Sequence, residues 1–204
     1  MRKKPKTPWP TKDVMNQIYD MKLWGGEAFD YYSGEGSHNL EIINPYLKAI
    51  ITFLKTTPTS VNSGFSEGLV VVDLGCGDFN IGKHLIKHSK KYIAVDIVED
   101  LIIRNKKLHK ADNLEFLCLD IAKDKLPKAD CIILRQVLQH VSNLEIQSII
   151  KKLTNYKYII LTEHIPIGNF TPNKDINSGQ GIRLKQNSGV NLLEAPFNFK
   201  IKNQ

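Results

Sequence analysis

Residues 69–79 read Leu-Val-Val-Val-Asp-Leu-Gly-Cys-Gly-Asp-Phe: an apolar run, an acid near its end, then two glycines one residue apart. No other stretch of the chain constrains the fold as tightly. The four aliphatic residues ahead of Asp73 suit a strand buried on both faces. Gly75 and Gly77 let the backbone turn sharply and leave room for a ligand to lie against the main chain. A helical pattern of Ile81, Leu85 and Ile86 follows. Strand, glycine turn, helix is the order that opens a nucleotide-type α/β fold.

Departures from the dinucleotide fingerprint decide which nucleotide. In G-x-G-x-x-G the third glycine falls at position 80, which is Asn80. Asp73 also puts a carboxylate near the place of a pyrophosphate, and two anions there repel. A P-loop fails as well, because Gly82-Lys83-His84 lacks the hydroxyl and the spacing. S-adenosylmethionine (SAM) has no phosphate, and its sulfonium and ammonium suit Asp73. At these residues the chain resembles the class I SAM-dependent methyltransferases, whose first motif is E/D-x-G-x-G. The resemblance spans roughly residues 38–165. It implies an α/β, Rossmann-like three-layer sandwich with a mostly parallel central sheet, in which Asp73, Gly75, Cys76 and Gly77 bind the cofactor.

The downstream spacing agrees. Lys91–Ile97 reads as a second strand ending in Asp96, a little over twenty positions after Asp73. An acid there accepts hydrogen bonds from ribose hydroxyls, as in dinucleotide folds. Leu114–Ile121 reads as a third strand ending in Asp120. The resemblance implies that Asp120 meets the adenine amino group and that Ile97 and Ile121 sandwich the ring. A fourth run, Asp130–Leu134, leads into Arg135-Gln136-Val137-Leu138-Gln139-His140-Val141, similar to the V-L-x-H-[VL] stretch of many small-molecule methyltransferases. Arg135 or Gln136 is expected to face cofactor or substrate. A fifth, Lys157–Thr162, ends in Glu163 and His164. His140 and His164 are the two general-base candidates, since neutral imidazole titrates near physiological pH. His164 is slightly preferred because it follows the carboxyl end of a strand. Packing or helix capping is the competing role for His140.

The segment ahead of the core is the second informative region. Thr11–Leu23 carries Val14, Ile18 and Met21 at helical spacing. Residues 24–39 then combine glycines 25, 26, 34 and 36 with Trp24, Phe29, Tyr31 and Tyr32. Its Tyr-Ser-Gly-Glu-Gly-Ser stretch is similar to one found ahead of the core in a set of bacterial small-molecule methyltransferases. That likeness implies a flap with Tyr32, Ser33 and Ser37 near the SAM carboxylate or the substrate; the alternative is a helix-to-helix turn with Ser37 capping the next helix. His38–Leu54 resumes the helical pattern, with Pro45 interrupting or kinking it early.

The expected organisation is a basic flexible tail over 1–10, a helical and Gly-aromatic cap over 11–60, and the SAM-binding core over 61–204, in one domain overall. A length of 204 residues suits that. After the fifth strand, Pro166–Gly189 is rich in Asn, Gly, Lys and Pro. Such a stretch is either a substrate lid, with Arg183 holding an anionic group, or a surface loop. Leu192–Lys202 offers one closing strand where the family has two, so closure is expected to be incomplete and the chain to stop short of its natural C-terminus.

Composition narrows partners. No run approaches a membrane span, and the N-terminus lacks the apolar region of a secretory signal. Cys76, Cys118 and Cys131 show no metal-like spacing, so free thiols in a reducing cytoplasm and no metal site are expected. The formal net charge of +7 invites a nucleic-acid reading. Much of the excess, however, is spread through exposed helix positions and the Met-Arg-Lys-Lys-Pro-Lys start, and no N-P-P-Y or D-P-P-Y follows the fourth strand. The reading is therefore a methyltransferase moving a methyl from SAM to a hydroxyl or amine of a small acceptor, an anionic one suiting the basic balance, and leaving S-adenosylhomocysteine. A nucleic-acid methyltransferase and a SAM-binding domain without catalysis are the alternatives; the oligomeric state is open.

Overall fold

Each apolar run becomes a strand: β1 Val70–Leu74, β2 Lys91–Asp96, β3 Leu114–Cys118, β4 Cys131–Arg135 and β5 Tyr158–Thr162. The computed structural model, which describes residues 8–57 and 68–201, orders them β3-β2-β1-β4-β5, every neighbouring pair parallel. Most of the expected tail, the polar connection into β1 and the cap–core boundary at 60/61 lie outside the described residues. The helices are α1 Thr11–Asp20, α2 Glu35–His38, α3 Leu40–Thr56, α4 Glu99–Leu108 and α5 Asn143–Leu153.

Strand alternation sorts the core into two layers. Val71, Tyr92, Ala94, Cys131 and Ile133 pack with Ile50 and Leu54 of α3 and Ile102 of α4. Val72, Leu74, Ile93, Val95, Ile132 and Leu134 pack with Ile146, Ile149 and Leu153 of α5. Helices on both faces of a parallel sheet make the three-layer sandwich, and burial on both faces explains why β1 and β2 read as unbroken apolar runs. The cap helix α1 buries Met15, Ile18 and Tyr19 against Val98 and Leu101 at the start of α4.

Helix starts follow local chemistry. The Asn39 side chain accepts from the Glu41 amide and caps α3, the role that one of the two alternatives gave to Ser37, so the break in the helical pattern falls at Asn39, ahead of Pro45. Ser142 and Glu145 form a capping box that starts α5.

Three expectations need correction. The segment after the glycine turn is not an α-helix but two 3-10 turns, Gly82–His84 and Ile86–His88. Phe79 there takes a left-handed backbone, φ 65°, that breaks helix initiation and buries its ring edge-on to Tyr92 and Phe116. The stretch from Leu192 adds no strand among the described residues. Instead Val190 and Leu192 are buried, with Phe197 and Phe199 half-buried, against the α5-side core, and the Phe199 amide donates back to the Leu192 carbonyl. Its apolar residues cover a face of the sheet rather than extending its edge.

Arg183, which belongs to an anion-holding lid in one of the two alternatives and to a surface loop in the other, fits neither and is 1% exposed. Its guanidinium donates to the carbonyls of Lys174 (2.8 Å), Leu138 (3.0 Å), Gln139 (3.3 Å) and Val141 (2.8 Å), and to Asn143 Oδ1 (2.8 Å). Five acceptors on two segments convert residues 174–189 from a loop into a strap bound to the turn after β4. Arg183→Met should leave those buried carbonyls without donors and lower unfolding stability by about 2–4 kcal/mol. The check is the urea midpoint; an unchanged midpoint would show that the strap contributes nothing to the fold.

Candidate functional site

From β1 the chain winds to β2 and β3 on one side of the sheet, and β4 and β5 lie on the other. Open α/β sheets bind ligands at the carboxyl ends of the strands beside such a reversal. A cavity lies there, lined by Asp73, Gly75, Cys76 and Gly77 of the glycine turn, by Asp96 and Ile97 after β2, and by Leu119, Asp120, Ile121 and Ala122 after β3. Arg135, Gln136, Val137 and His140 line it from the end of β4, and Thr11, Met15, Tyr19, Trp24, Ser33, Ser37 and Tyr46 from the cap and α3.

The strand-tip acids are held, not loose. Asp73 Oδ2 accepts from the Tyr92 hydroxyl at 2.8 Å. Burial pushes its pKa up to about 6, a rise opposed by the Tyr92 bond and reinforced by Asp96. Asp96 Oδ2 accepts from the Gly77 amide (3.0 Å) and Oδ1 from the Val98 amide (3.1 Å), tying the glycine turn to the tip of β2. Burial raises its pKa too, against those backbone bonds. Asp120, two positions past β3, accepts from the Ala122 amide (3.0 Å) and pairs with Lys123 at 2.7 Å.

Residues 24–39 meet the glycine turn through a reciprocal pair. The Ser33 amide donates to Asp78 Oδ2 (2.9 Å), and the Asp78 amide donates to Ser33 Oγ (2.8 Å). Ser33 Oγ also lies 3.0 Å from the Tyr19 hydroxyl. His38 Nε2 sits 2.6 Å from the same Asp78 Oδ2, and Arg104 of α4 grips Asp30 with two bonds of 2.7 and 2.8 Å, holding that carboxyl down at about 2. Contact is close enough to require glycine twice: a Cβ at Gly77 would stand 2.4 Å from Ser33 Oγ, and one at Gly36 would stand 2.0 Å from Gln136 Oε1.

At the tip of β4, Gln136 adopts a left-handed backbone, φ 57°, with its amide donating to the Thr162 carbonyl. Its side-chain Nε2 lies 3.1 Å from His164 Nε2. His164 therefore stands behind Gln136 and does not line the cavity, because β5 is the edge strand and the β4 tip comes between. Tyr32 does not line it either: its ring packs 4.4 Å from His38 and 5.3 Å from Phe29, and its hydroxyl donates to Glu35. Glu163 accepts from the Val137, Leu138 and Gln139 amides and so organises the turn after β4; burial lifts its pKa to about 7.

His140 reaches the cavity but is heavily engaged. Nδ1 is 3.2 Å from the Gly179 carbonyl, Nε2 is 3.2 Å from Gln139 Nε2, and the ring packs 5.1 Å from Trp24. The carbonyl can only accept, so Nδ1 carries the proton, and burial pushes the pKa down to about 4. Sequence reasoning missed Tyr19, Trp24, Tyr46 and Asp78. Asp78 adjoins the glycine turn and was visible there. The aromatics come from helices or the flap, and nothing in their spacing says that they meet the strand tips.

Comparison with known proteins agrees with this geometry. Residues 72–156 match the model of a family described as methyltransferase domain. Magnesium protoporphyrin IX methyltransferase from Synechocystis PCC 6803, solved with bound SAM, superposes with a TM-score of 0.55 at 17% identity over 86% of this chain and 83% of that one. The N-methyltransferase NodS from Bradyrhizobium japonicum WM9, in complex with S-adenosylhomocysteine, gives 0.51 at 15% identity over 71% and 68%. An uncharacterized RNA methyltransferase of Clostridium tetani is 36% identical over 77 residues, 35% of this chain and 17% of its own length. Phosphoethanolamine N-methyltransferase 3 of Arabidopsis thaliana is 26% identical over 95 residues, 44% of this chain and 19% of its own. The chain thus spans less than a fifth of the length of these curated relatives. The chain has the Rossmann-like fold of these SAM-binding methyltransferases, and residues 72–156 are similar to a methyltransferase domain.

Among the described residues no group of three or more His, Cys, Asp or Glu is placed to hold a metal, and no helix is long and apolar enough to cross a membrane. The environment of His140 makes a direct prediction. A His with a depressed folded pKa contributes stability that is present above about 6.5 and lost as pH falls toward about 4. The His140 ring resonances should titrate with a midpoint near 4 in the folded protein; a midpoint near 6.5 would contradict its buried, neutral state.

Proposed function

We propose that this chain is a SAM-dependent methyltransferase acting on a small-molecule acceptor. The observation that carries the reading is the joint presence, in one covered cavity, of Asp73, the glycine turn, Asp96 and Asp120 at successive strand ends. The lining fits SAM chemically. Ile97, Leu119, Ile121 and Val137 offer apolar walls for a flat ring, Asp96 retains lone pairs for ribose hydroxyls, and Asp73 suits a cationic methionine end. Arg135, Gln136, Ser33 and Ser37 complete the lining on the methionine side. When bound, SAM supplies an activated methyl on a sulfonium.

This chain's residues then contribute position more than proton transfer. The histidine that lines the cavity is a poor base: burial pushes the His140 pKa down to about 4 and both of its nitrogens are engaged. Catalysis rests on holding acceptor and methyl in line with water excluded by the flap, an effect that supplies much of a methyl-transfer barrier. Such a site favours an acceptor that is nucleophilic without losing a proton to the enzyme, an amine of modest pKa more than an alcohol. Trp24, Tyr19 and His140 give the acceptor an aromatic wall. The net charge of +7 and the Clostridium match keep a nucleic-acid acceptor as the second reading. A steep fall of mixed-RNA binding with salt would favour it, and a weak, flat response would dismiss it.

Isothermal titration should show micromolar SAM binding and no response to NAD. Asp96→Ala should weaken SAM by tenfold or more, about 1.4 kcal/mol. Unchanged affinity in the folded variant would remove Asp96 from the site. Asp73 adds a pH signature. With its pKa near 6, it is neutral below that value and anionic above it, so SAM affinity should rise with pH through about 6 and level off. Asp73→Asn should flatten the rise, and a profile that is equally steep in the variant would show that another group titrates.

A further inference from the structure

The sheet ends in two edge strands, β3 and β5, and they are built differently. On β3 the apolar run is broken by Glu115, which pairs with Lys91 of β2 at 2.6 Å. Charge on an edge strand discourages another strand from adding to it. β5 has no such guard. It reads Tyr-Ile-Ile-Leu-Thr, with Lys157 ahead of it and Glu163 behind, and Glu163 is turned inward to the amides of Val137, Leu138 and Gln139. The ladder with β4 decides which backbone groups face outward. The Tyr158 amide donates to the Asp130 carbonyl and the Gln136 amide to the Thr162 carbonyl, so residues 158, 160 and 162 face β4. Ile159 and Leu161 therefore aim their N–H and C=O away from the sheet, where neither has a hydrogen-bond partner among the described residues.

The fold covers both faces of this strand and leaves its edge open. Tyr158 and Ile160 pack on the α3 side, and Ile159 and Leu161 on the α5 side. Even so, all five residues of β5 are only half-buried, whereas Cys131, Ile132, Ile133 and Leu134 on the neighbouring β4 are at most 1% exposed. The stretch from Leu192, expected to add a closing strand, lies on the α5-side core instead. Ile165 and Ile167, just past the strand, are exposed as well. An apolar edge whose donors and acceptors alternate at every second residue is completed by another extended strand.

We propose that β5 is a dimerisation edge, on which the β5 of a second copy of this chain lies antiparallel and joins the two sheets into one. The strand is its own complement. With a two-fold axis at Ile160, Ile159 of each copy faces Leu161 of the other, and these outward-facing residues exchange both of their hydrogen bonds. Isoleucine then meets isoleucine on the α3 side and isoleucine meets leucine on the α5 side, apolar cross-strand pairs of the kind that stabilise a sheet. The same register sets Lys157 opposite Glu163, so opposite charges rather than like ones face each other at its ends. The contact is isologous and closes at two copies, because the one unguarded edge of each chain is used up in making it. The dimer does not depend on what the cavity binds: the strands run in opposite directions, so the two cavities lie at opposite ends of the joined sheet.

The test reads oligomeric state and edge protection on the same protein. Sedimentation velocity over a dilution series should show a reversible monomer–dimer equilibrium. Hydrogen exchange followed by NMR should find the Ile159 and Leu161 amides protected at high concentration and exchanging about tenfold faster on dilution, while the inward amides of Tyr158, Ile160 and Thr162 stay protected throughout. Ile159→Pro removes one outward N–H and no bond to β4, a change that edge strands accept, and should weaken the dimer by about tenfold or more. Ile160→Lys keeps the backbone and sets two like charges across the axis, with the same expected effect. It decides the case if the proline variant does not fold, and the wild-type dilution series stands without either. A wild type that stays monomeric at the highest concentration would overturn the proposal. So would a dimer whose Ile159 and Leu161 amides exchange freely, since its contact lies on another surface. Protection of those amides in the monomer would overturn it as well, because the chain's own residues would then cover the edge. Species larger than a dimer would do the same, marking an open edge instead of a closed contact.

Discussion

Ser33 and Asp78 exchange two backbone-to-side-chain hydrogen bonds, which tie residues 24–39 to the glycine turn on the cavity's cap side. The strand tips alone would make an open crevice. The reciprocal pair lays the flap over the glycine turn, and the Tyr19 hydroxyl on Ser33 brings α1 down with it. Two further contacts, His38 on Asp78 and the Arg104–Asp30 ion pair, brace the same junction from residues 35–38 and from α4. Once the flap is down, Gly36 meets Gln136, Arg135 binds the flap backbone, and Trp24 reaches His140. The roof and the floor thus share one hinge line, running from the glycine turn to the tip of β4.

That closure sets the electrostatics. Asp73, Asp96, Asp120 and Glu145 face the covered space, and desolvation raises both Asp73 and Asp96 above the usual carboxylate range. Each is partly compensated by donors from the fold, Tyr92 for one and the Gly77 and Val98 amides for the other. The compensation is incomplete, which is what a site awaiting a cationic ligand requires: a perfectly satisfied carboxylate would have little left to offer it. His140 experiences the same desolvation with the opposite sign and stays neutral. One act of water exclusion therefore makes anions eager for a cation and disables the candidate base.

The sheet, its parallel sense and the acids at its strand ends were legible because parallel strands buried on both faces leave unbroken apolar runs, and the ends of those runs are fixed in register by the ladder itself. The walls supplied by helices and flap were less so. Tyr32 and Ser33 are neighbours in the flap, yet Ser33 lines the cavity and Tyr32 packs on His38, since which of two adjacent residues turns inward depends on a backbone twist near Gly34 that no periodicity encodes. His164 follows a strand as His140 follows another, but its strand is the edge one, and sequence order does not reveal lateral position in a sheet. The helix after the glycine turn failed for a different reason: burying Phe79 in a left-handed conformation overrode local helical preference.

Arg135 and Arg183 show where reading residue types stops and geometry begins. Both lie in segments that face the cavity end of the sheet, both are substantially buried, and either could be assigned to an anion from sequence. Arg183 is saturated by four carbonyls and an amide oxygen, so an incoming carboxylate would have to displace bonds that hold the strap to the turn after β4. Arg135 has spent two donors on the flap and stacks on a tyrosine whose own hydroxyl is unsatisfied. Burial of a charge is costly in both places, and the fold offsets that cost internally in only one. The structural arginine is the satisfied one; the arginine with free donors beside a covered cavity is where ligand binding has free energy to gain.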